Sequence, residues 1–216
     1  MRLSTILAAI VTFTSVQASP VERRAPQTGD CITPTSSALQ KERTVLLASK
    51  LIPDIYDDFE PSTTVAVYYH GDFVPYNASQ GALDTLTAPS VYFPKPTRDG
   101  DDTTYTLIMN DPDALGDALG PSFLHWIRRG LKPSCDTPAT DGGQDVRVYI
   151  PPTPPPLLPP TAHRYALTIL REPKGGYAPD VLENLLKSAS FDLRAYQQET
   201  GAKVIGSTYF LGSFTA

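Results

Sequence analysis

Along most of this chain, apolar residues come in short runs broken by Pro, Gly and Asp, not at the three-to-four-residue spacing of an amphipathic helix. Residues 64–69, 91–93, 105–110, 123–128, 146–150, 165–170 and 203–211 are rich in β-branched and aromatic side chains, the types that fit a pleated, half-buried surface. Seven such runs predict a mostly β fold, a sandwich or a barrel, with helices only at its periphery. The helical signals sit at the two ends. Thr35 or Ser36 caps a predicted helix whose apolar stripe is Leu39, Val45, Leu46 and Leu51, and Pro53 ends it. Residues 179–189 and 191–200 read as two further short helices, the second closed by Gly201. No internal repeat interrupts this single-domain pattern.

The first 18 residues stand apart. Arg2 precedes an apolar stretch from Ile6 to Val16, and Val16 and Ala18 are small residues at the spacing of a signal-peptidase cut. A stretch of about 11 residues carrying Thr12, Thr14 and Ser15 is too short for a bilayer span, so secretion is expected, with retention in the endoplasmic reticulum lumen or a vacuole as variants of the same route. Residues 19–24 end in Arg23-Arg24, which looks like a kexin-type processing site of a fungal secretory pathway. Cuts after Ala18 and Arg24 would leave an N-terminal segment of 25–38 ahead of a domain spanning 39–216. They remove three basic residues and one acidic residue, which takes the formal charge from −5 to −7. An acidic surface opposes contact with a phosphate backbone, so nucleic acid is not an expected partner.

An oxidising compartment changes how the two cysteines read. Cys31 and Cys135 are an even pair and suggest one disulfide tying the N-terminal segment to the core, the alternative being two buried thiols. Asn77-Ala78-Ser79 is an N-glycosylation acceptor triplet, which implies a surface loop. Proline is the compositional outlier, with 22 residues, of which seven fall in 151–160. That tract cannot join a sheet ladder and favours polyproline II, as a rigid connector or as a wall beside a pocket.

Candidate chemistry concentrates at three places. Asp111-Pro112-Asp113 follows an apolar run, and in extended backbone the i, i+2 spacing would turn both carboxylates toward one cavity, with Pro112 holding Asp111 extended. His125 precedes the only tryptophan, and His163 leads Arg164 and Tyr165. Taken singly these are turn and strand fragments. In order, with Phe123-Leu124-His125-Trp126 between the other two, they resemble the signature of the phosphatidylethanolamine-binding protein family. The similarity extends to Leu51-Ile52-Pro53-Asp54, Phe59-Glu60-Pro61-Ser62, Phe191-Asp192-Leu193 and Thr208-Tyr209-Phe210.

The resemblance, to a secreted fungal-type member, implies a Greek-key β-sandwich with edge helices and a pocket for phosphate-like or carboxylate anions and phospholipid headgroups. The ligand-binding residues it implies are Asp111, Pro112, Asp113, Phe123, His125, His163 and Tyr165. Leu115 stands where the family usually has proline, and the proline tract ending at Thr161-Ala162 replaces a glycine-containing approach to the second histidine.

Two carboxylates in an anion pocket require neutralisation. One Asp could be protonated, the histidines could be charged and paired with them, or the ligand could be zwitterionic. No nucleophile elbow Gly-x-Ser-x-Gly and no helical His-x-x-x-His occurs, and the resemblance implies no required metal, so a binding protein without metal or cofactor is favoured over an enzyme. Two further readings stay open. The chain could inhibit a serine carboxypeptidase, or it could be an accessory or catalytic protein of fungal secondary metabolism that handles anhydride or dicarboxylate units of polyketide origin. Mass spectrometry of the secreted chain is expected to show an N-terminus at Ala25; one at Ser19 would overturn the second cut.

Overall fold

The computed structural model describes residues 34–114, 121–134, 136–154, 162–176 and 190–214. The predicted processing sites Ala18 and Arg24, both cysteines, most of the proline tract and the helix predicted over 179–189 lie outside the described residues.

The order of elements is α1 (Ser36–Ala48), α2 (Leu51–Asp54), β1 (Ala66–Tyr69), β2 (Asp72–Val74), β3 (Ser79–Gly81), β4 (Ser90–Tyr92), β5 (Tyr105–Asp111), β6 (Phe123–Leu131), a short 3-10 turn at Ala139–Asp141, β7 (Gln144–Arg147), β8 (Ala162–Arg171), α3 (Leu193–Thr200) and β9 (Lys203–Ser213). Two sheets form, one of three strands ordered β2-β1-β4 and one of six ordered β3-β9-β8-β5-β6-β7. Within the larger sheet β5, β6 and β7 run as an antiparallel meander, and β8 returns to pair antiparallel with β5. That spatial order of fourth strand, first, second and third is a Greek key.

Strand alternation decides which face each residue serves. Tyr105, Leu107 and Met109 of β5, Tyr165, Leu167 and Ile169 of β8, and Trp126 of β6 pack against Val67, Tyr69 and Val91 of the small sheet. The intervening residues, among them Ile108, Ala166 and Leu170, face the other way, onto Leu46, Leu51, Ile55 and Tyr196 of the helical layer. In β9 one residue departs from the alternation. The register pairs Gly206 with Ile169 and Val204 with Leu170, so Ile205 is an extra residue in the ladder and turns into the inter-sheet core.

The helices follow from local chemistry. The Thr35 side chain accepts from the Ala38 N–H and caps α1, and Asp192 accepts from the N–H groups of Arg194 and Ala195 and caps α3. Gly201, at φ 73°, closes α3 in the left-handed region. The predicted first helix is shorter than its stripe. It stops at Ala48, because Lys50 takes φ 60°, and Leu51 opens a separate turn that contains Pro53 instead of ending at it. Leu46 and Leu51 nevertheless both bury fully, each contributing about 1.5–3 kcal/mol.

Between α1 and β9 lies a buried acid. Glu42 is 1% exposed; its carboxyl accepts from the Ser207 N–H at 2.9 Å and from the Tyr76 hydroxyl at 3.3 Å. Burial pushes its pKa from 4.5 up to about 8, against the opposing pull of those hydrogen bonds. The folded state therefore keeps a proton that the unfolded chain releases. The stability from this group is fully present below pH 4.5 and is lost as pH rises to about 8. The slope is on the order of 1 kcal/mol per pH unit. Glu42→Gln, which keeps both partners without a titrating proton, is expected to flatten the loss seen in urea unfolding between pH 5 and pH 8. Equal losses in the two proteins would contradict this placement of the proton.

Candidate anion-binding site

The Greek key brings the end of β5 and the start of β6 beside the start of β8 and the end of β9. Asp111, the last residue of β5, pairs with Phe123, the first of β6. On the neighbouring ladder His163 pairs with Gly212. Three of the predicted polar residues meet here and are buried: Asp111 is 1% exposed, His125 5% and His163 3%.

Each of these side chains is held by a specific partner. His163 Nδ1 lies 2.8 Å from Asp111 Oδ2, and the other carboxylate oxygen of Asp111 accepts from the Asp113 N–H at 2.7 Å. His125 Nδ1 lies 2.8 Å from the carbonyl of Ile150. A carbonyl can only accept, so Nδ1 carries the proton. Burial lowers the pKa of His125, outweighing the Ile150 hydrogen bond and the charge of Asp111. The ring is therefore neutral, and Nε2 presents a lone pair.

The aromatic residues complete the frame. Phe123 meets His125 edge to face with centroids 4.8 Å apart, and His125 meets Tyr165 in the same way at 5.1 Å. Tyr165 stacks on Phe210 at 5.4 Å and lies nearly parallel to the His163 ring at 6.4 Å. Its hydroxyl is pushed up by burial and then by the charge of Asp111. Pro112 is half-buried in the turn.

Asp113 takes a different direction from Asp111. β5 ends at Asp111, so the alternation that would turn both carboxylates into one cavity stops there. Asp113 instead pairs with Arg164, accepting from its backbone N–H at 2.8 Å, from Nε at 3.0 Å and from the terminal nitrogen at 2.7 Å. Burial alone would raise the Asp113 carboxyl; the Arg164 hydrogen bonds and charge overcome it and hold it below the usual carboxylate value. The second terminal nitrogen of Arg164 donates to the Ser49 carbonyl at 2.7 Å and to Asp54 at 2.8 Å. Asp113 is neutralised by Arg164, a partner outside the three arrangements expected from the sequence, and Asp111 is engaged by His163.

Three contributors escape a reading of motifs alone. Arg164 is visible in the triplet, but its role depends on partners 51 and 110 residues away. The Ile150 carbonyl carries no sequence signal. Gly212 carries a weak one, an isolated glycine late in a strand pattern: a Cβ there would lie 2.4 Å from the Tyr165 ring. Among the described residues, no group of three or more His, Cys, Asp or Glu is placed to hold a metal ion.

The family model for phosphatidylethanolamine-binding protein matches residues 64–212, well over half the chain. This chain belongs to the phosphatidylethanolamine-binding protein family. As a family member it is similar to CEN-like protein 1 of Nicotiana tabacum, with 27% identity covering 76% of this chain and 89% of the relative. It is also similar to the Arabidopsis thaliana protein BROTHER of FT and TFL 1, 28% identical over 62% of this chain and 72% of that one. Among solved structures, the carboxypeptidase Y inhibitor in complex with its cognate proteinase superposes with a TM-score of 0.66 at 19% identity, covering 82% of this chain and 97% of that one. The phosphatidylethanolamine-binding protein from Plasmodium vivax superposes at 0.61 with 20% identity, covering 80% and 97%. At these identities the two structures speak for the fold. The mostly β, single-domain architecture expected from the sequence is the one observed.

Arg164→Lys keeps the charge but loses the two-pronged grip on Asp113. The pair is mostly buried, with side-chain exposures of 20% and 14%, so the variant is expected to lose roughly 2–3 kcal/mol in urea unfolding, somewhat less than for a fully buried pair. Asp54 is 39% exposed, and Asp54→Ala is expected to cost less than about 1 kcal/mol. The reverse ranking would refute Asp113 as the main partner.

Proposed function

We propose that this protein is a secreted binder of a small phosphate- or carboxylate-bearing molecule, of the kind a phospholipid headgroup presents, held where Asp111, His125 and His163 meet. The observation that carries this reading is the internal engagement of both carboxylates, Asp111 by His163 and Asp113 by Arg164. An approaching anion then meets carboxylates that already have partners, beside rigid rings. The fold likeness to a phosphatidylethanolamine-binding protein supports the same reading.

The neutral His125 adds a constraint on the ligand. Its Nε2 accepts, so the best-matched ligand brings a donor as well as an anion, either an ammonium or a singly protonated phosphate. Phosphoethanolamine has both. Pro112, Phe123 and Tyr165 would shape the walls, and Asp113 would act at one remove by holding Arg164 and the turn.

A protease is the second candidate partner, supported by the structural likeness to a carboxypeptidase inhibitor. An accessory role toward dicarboxylate-bearing metabolites would use the same oxygen-binding chemistry.

Calorimetric titration with phosphoethanolamine, inorganic phosphate and a dicarboxylate distinguishes the ligand classes, and a carboxypeptidase inhibition assay on the same preparation tests the second partner. Phosphoethanolamine is expected to bind more tightly than phosphate. His125→Ala and Asp111→Asn are each expected to weaken it about tenfold to a hundredfold, the size of one charge-assisted hydrogen bond. Lys174→Ala, in an exposed loop, is expected to leave it unchanged. Binding indifferent to both site variants would remove the proposed site.

A further inference from the structure

Asn77 lies in the turn between β2 and β3, exposed, with φ 61°, a left-handed conformation that asparagine tolerates better than most residues. Tyr209 of β9 holds it twice. The Asn77 N–H donates to the Tyr209 carbonyl at 3.2 Å, and the Tyr209 hydroxyl donates to Asn77 Oδ1 at 3.3 Å. That bond engages the amide oxygen and does not involve the amide nitrogen Nδ2. Ser79, the hydroxyl residue of the acceptor triplet, opens β3 and is also exposed.

Beside Asn77 a cavity of about 500 Å³ opens between α1 and β9. Val45, Ala48 and Leu211 supply its apolar lining, and Tyr76, Tyr209 and Ser49 supply ring faces and hydroxyls. That mixture suits a pyranose ring, which has an apolar face for an aromatic side chain and equatorial hydroxyls for polar neighbours.

We propose that Asn77 carries an N-linked glycan whose first sugar occupies this cavity, closing the seam between α1 and β9. The oligosaccharide comes from a lipid-linked diphosphate donor. The bond from its anomeric carbon to the diphosphate oxygen breaks, a bond from that carbon to Nδ2 forms, Nδ2 releases one proton, and the lipid diphosphate leaves. The proposal depends on passage through the secretory route and not on a ligand in the anion site, although Arg164, which grips Asp113, also lines this cavity.

The test uses the full-length chain expressed in a yeast secretory host. Intact mass is measured before and after peptide-N-glycosidase F for the natural chain and for Asn77→Gln, Ser79→Ala and Ser79→Thr. The natural chain and Ser79→Thr are expected to carry a removable glycan, and the other two none. Secretion without a glycan, or failure to enter the secretory route, overturns the modification. Hydrogen exchange over 45–49 then tests occupancy. Trimming with endoglycosidase H, which leaves one N-acetylglucosamine, is expected to preserve slow exchange, whereas complete removal and Asn77→Gln are expected to speed it several-fold. Exchange that is the same in all forms overturns the seating of the sugar.

Discussion

Two consecutive residues at the start of β8, His163 and Arg164, leave opposite faces of the strand, and each holds one carboxylate of the turn that ends β5. Neither aspartate could remain there alone. Asp111 is 1% exposed, and an unpaired buried carboxylate costs several kcal/mol. The Pro112 turn therefore depends on β8 lying beside β5, and β8 lies there because the Greek key returns the chain to that edge. Strand pairing, turn and site form one cooperative unit. Arg164 extends it outward by gripping the Ser49 carbonyl and Asp54, which ties the α1–α2 corner to the same turn.

The two faces of the six-stranded sheet divide the work. On the inter-sheet face, the stack His163, Tyr165, Phe210 continues the core directly into the site. A rigid aromatic floor explains how two histidines can be buried without losing their orientation. Each ring is held by a hydrogen bond at Nδ1 and by ring contacts that leave it little freedom. Gly212 belongs to the same arrangement, because the ring of Tyr165 occupies the space its Cβ would need. On the helical face, Glu42 stays buried as the neutral acid at moderate pH, with hydrogen bonds from β9 and Tyr76.

The strands that carry the site were legible because their apolar runs are long and end in distinctive polar motifs; β5, β6, β8 and β9 all lie where the pattern puts them, give or take a few residues. β2 and β3 were not. Each has three residues, and Ser79–Gly81 has no apolar alternation at all, since it joins the sheet through backbone pairing with β9. The run predicted over 146–150 starts two residues late, since β7 begins at Gln144, and its tail, 148–150, leaves the ladder, yet Ile150 then supplies the carbonyl that sets the His125 tautomer. The residues at the centre were readable from motifs. Their roles were not, because a role here is a choice of partner 25 to 110 residues away, and local spacing cannot encode it. The i, i+2 argument for the two aspartates failed for a local reason, that the strand ends between them.

The pairing pattern also bears on what the proposed site would recognise. Two aspartates without partners would favour a cation, whereas here Asp111 faces His163 and Asp113 faces Arg164. His125 is held at Nδ1 by a neutral carbonyl, and burial disfavours its taking a second proton, so it would meet a ligand as an acceptor. For the binding role proposed above, a fully ionised phosphate or sulfate would face that lone pair with nothing to donate. A molecule that joins an anion to an adjacent N–H or O–H would supply the missing proton, so the proposed site would discriminate by hydrogen-bond polarity as well as by charge.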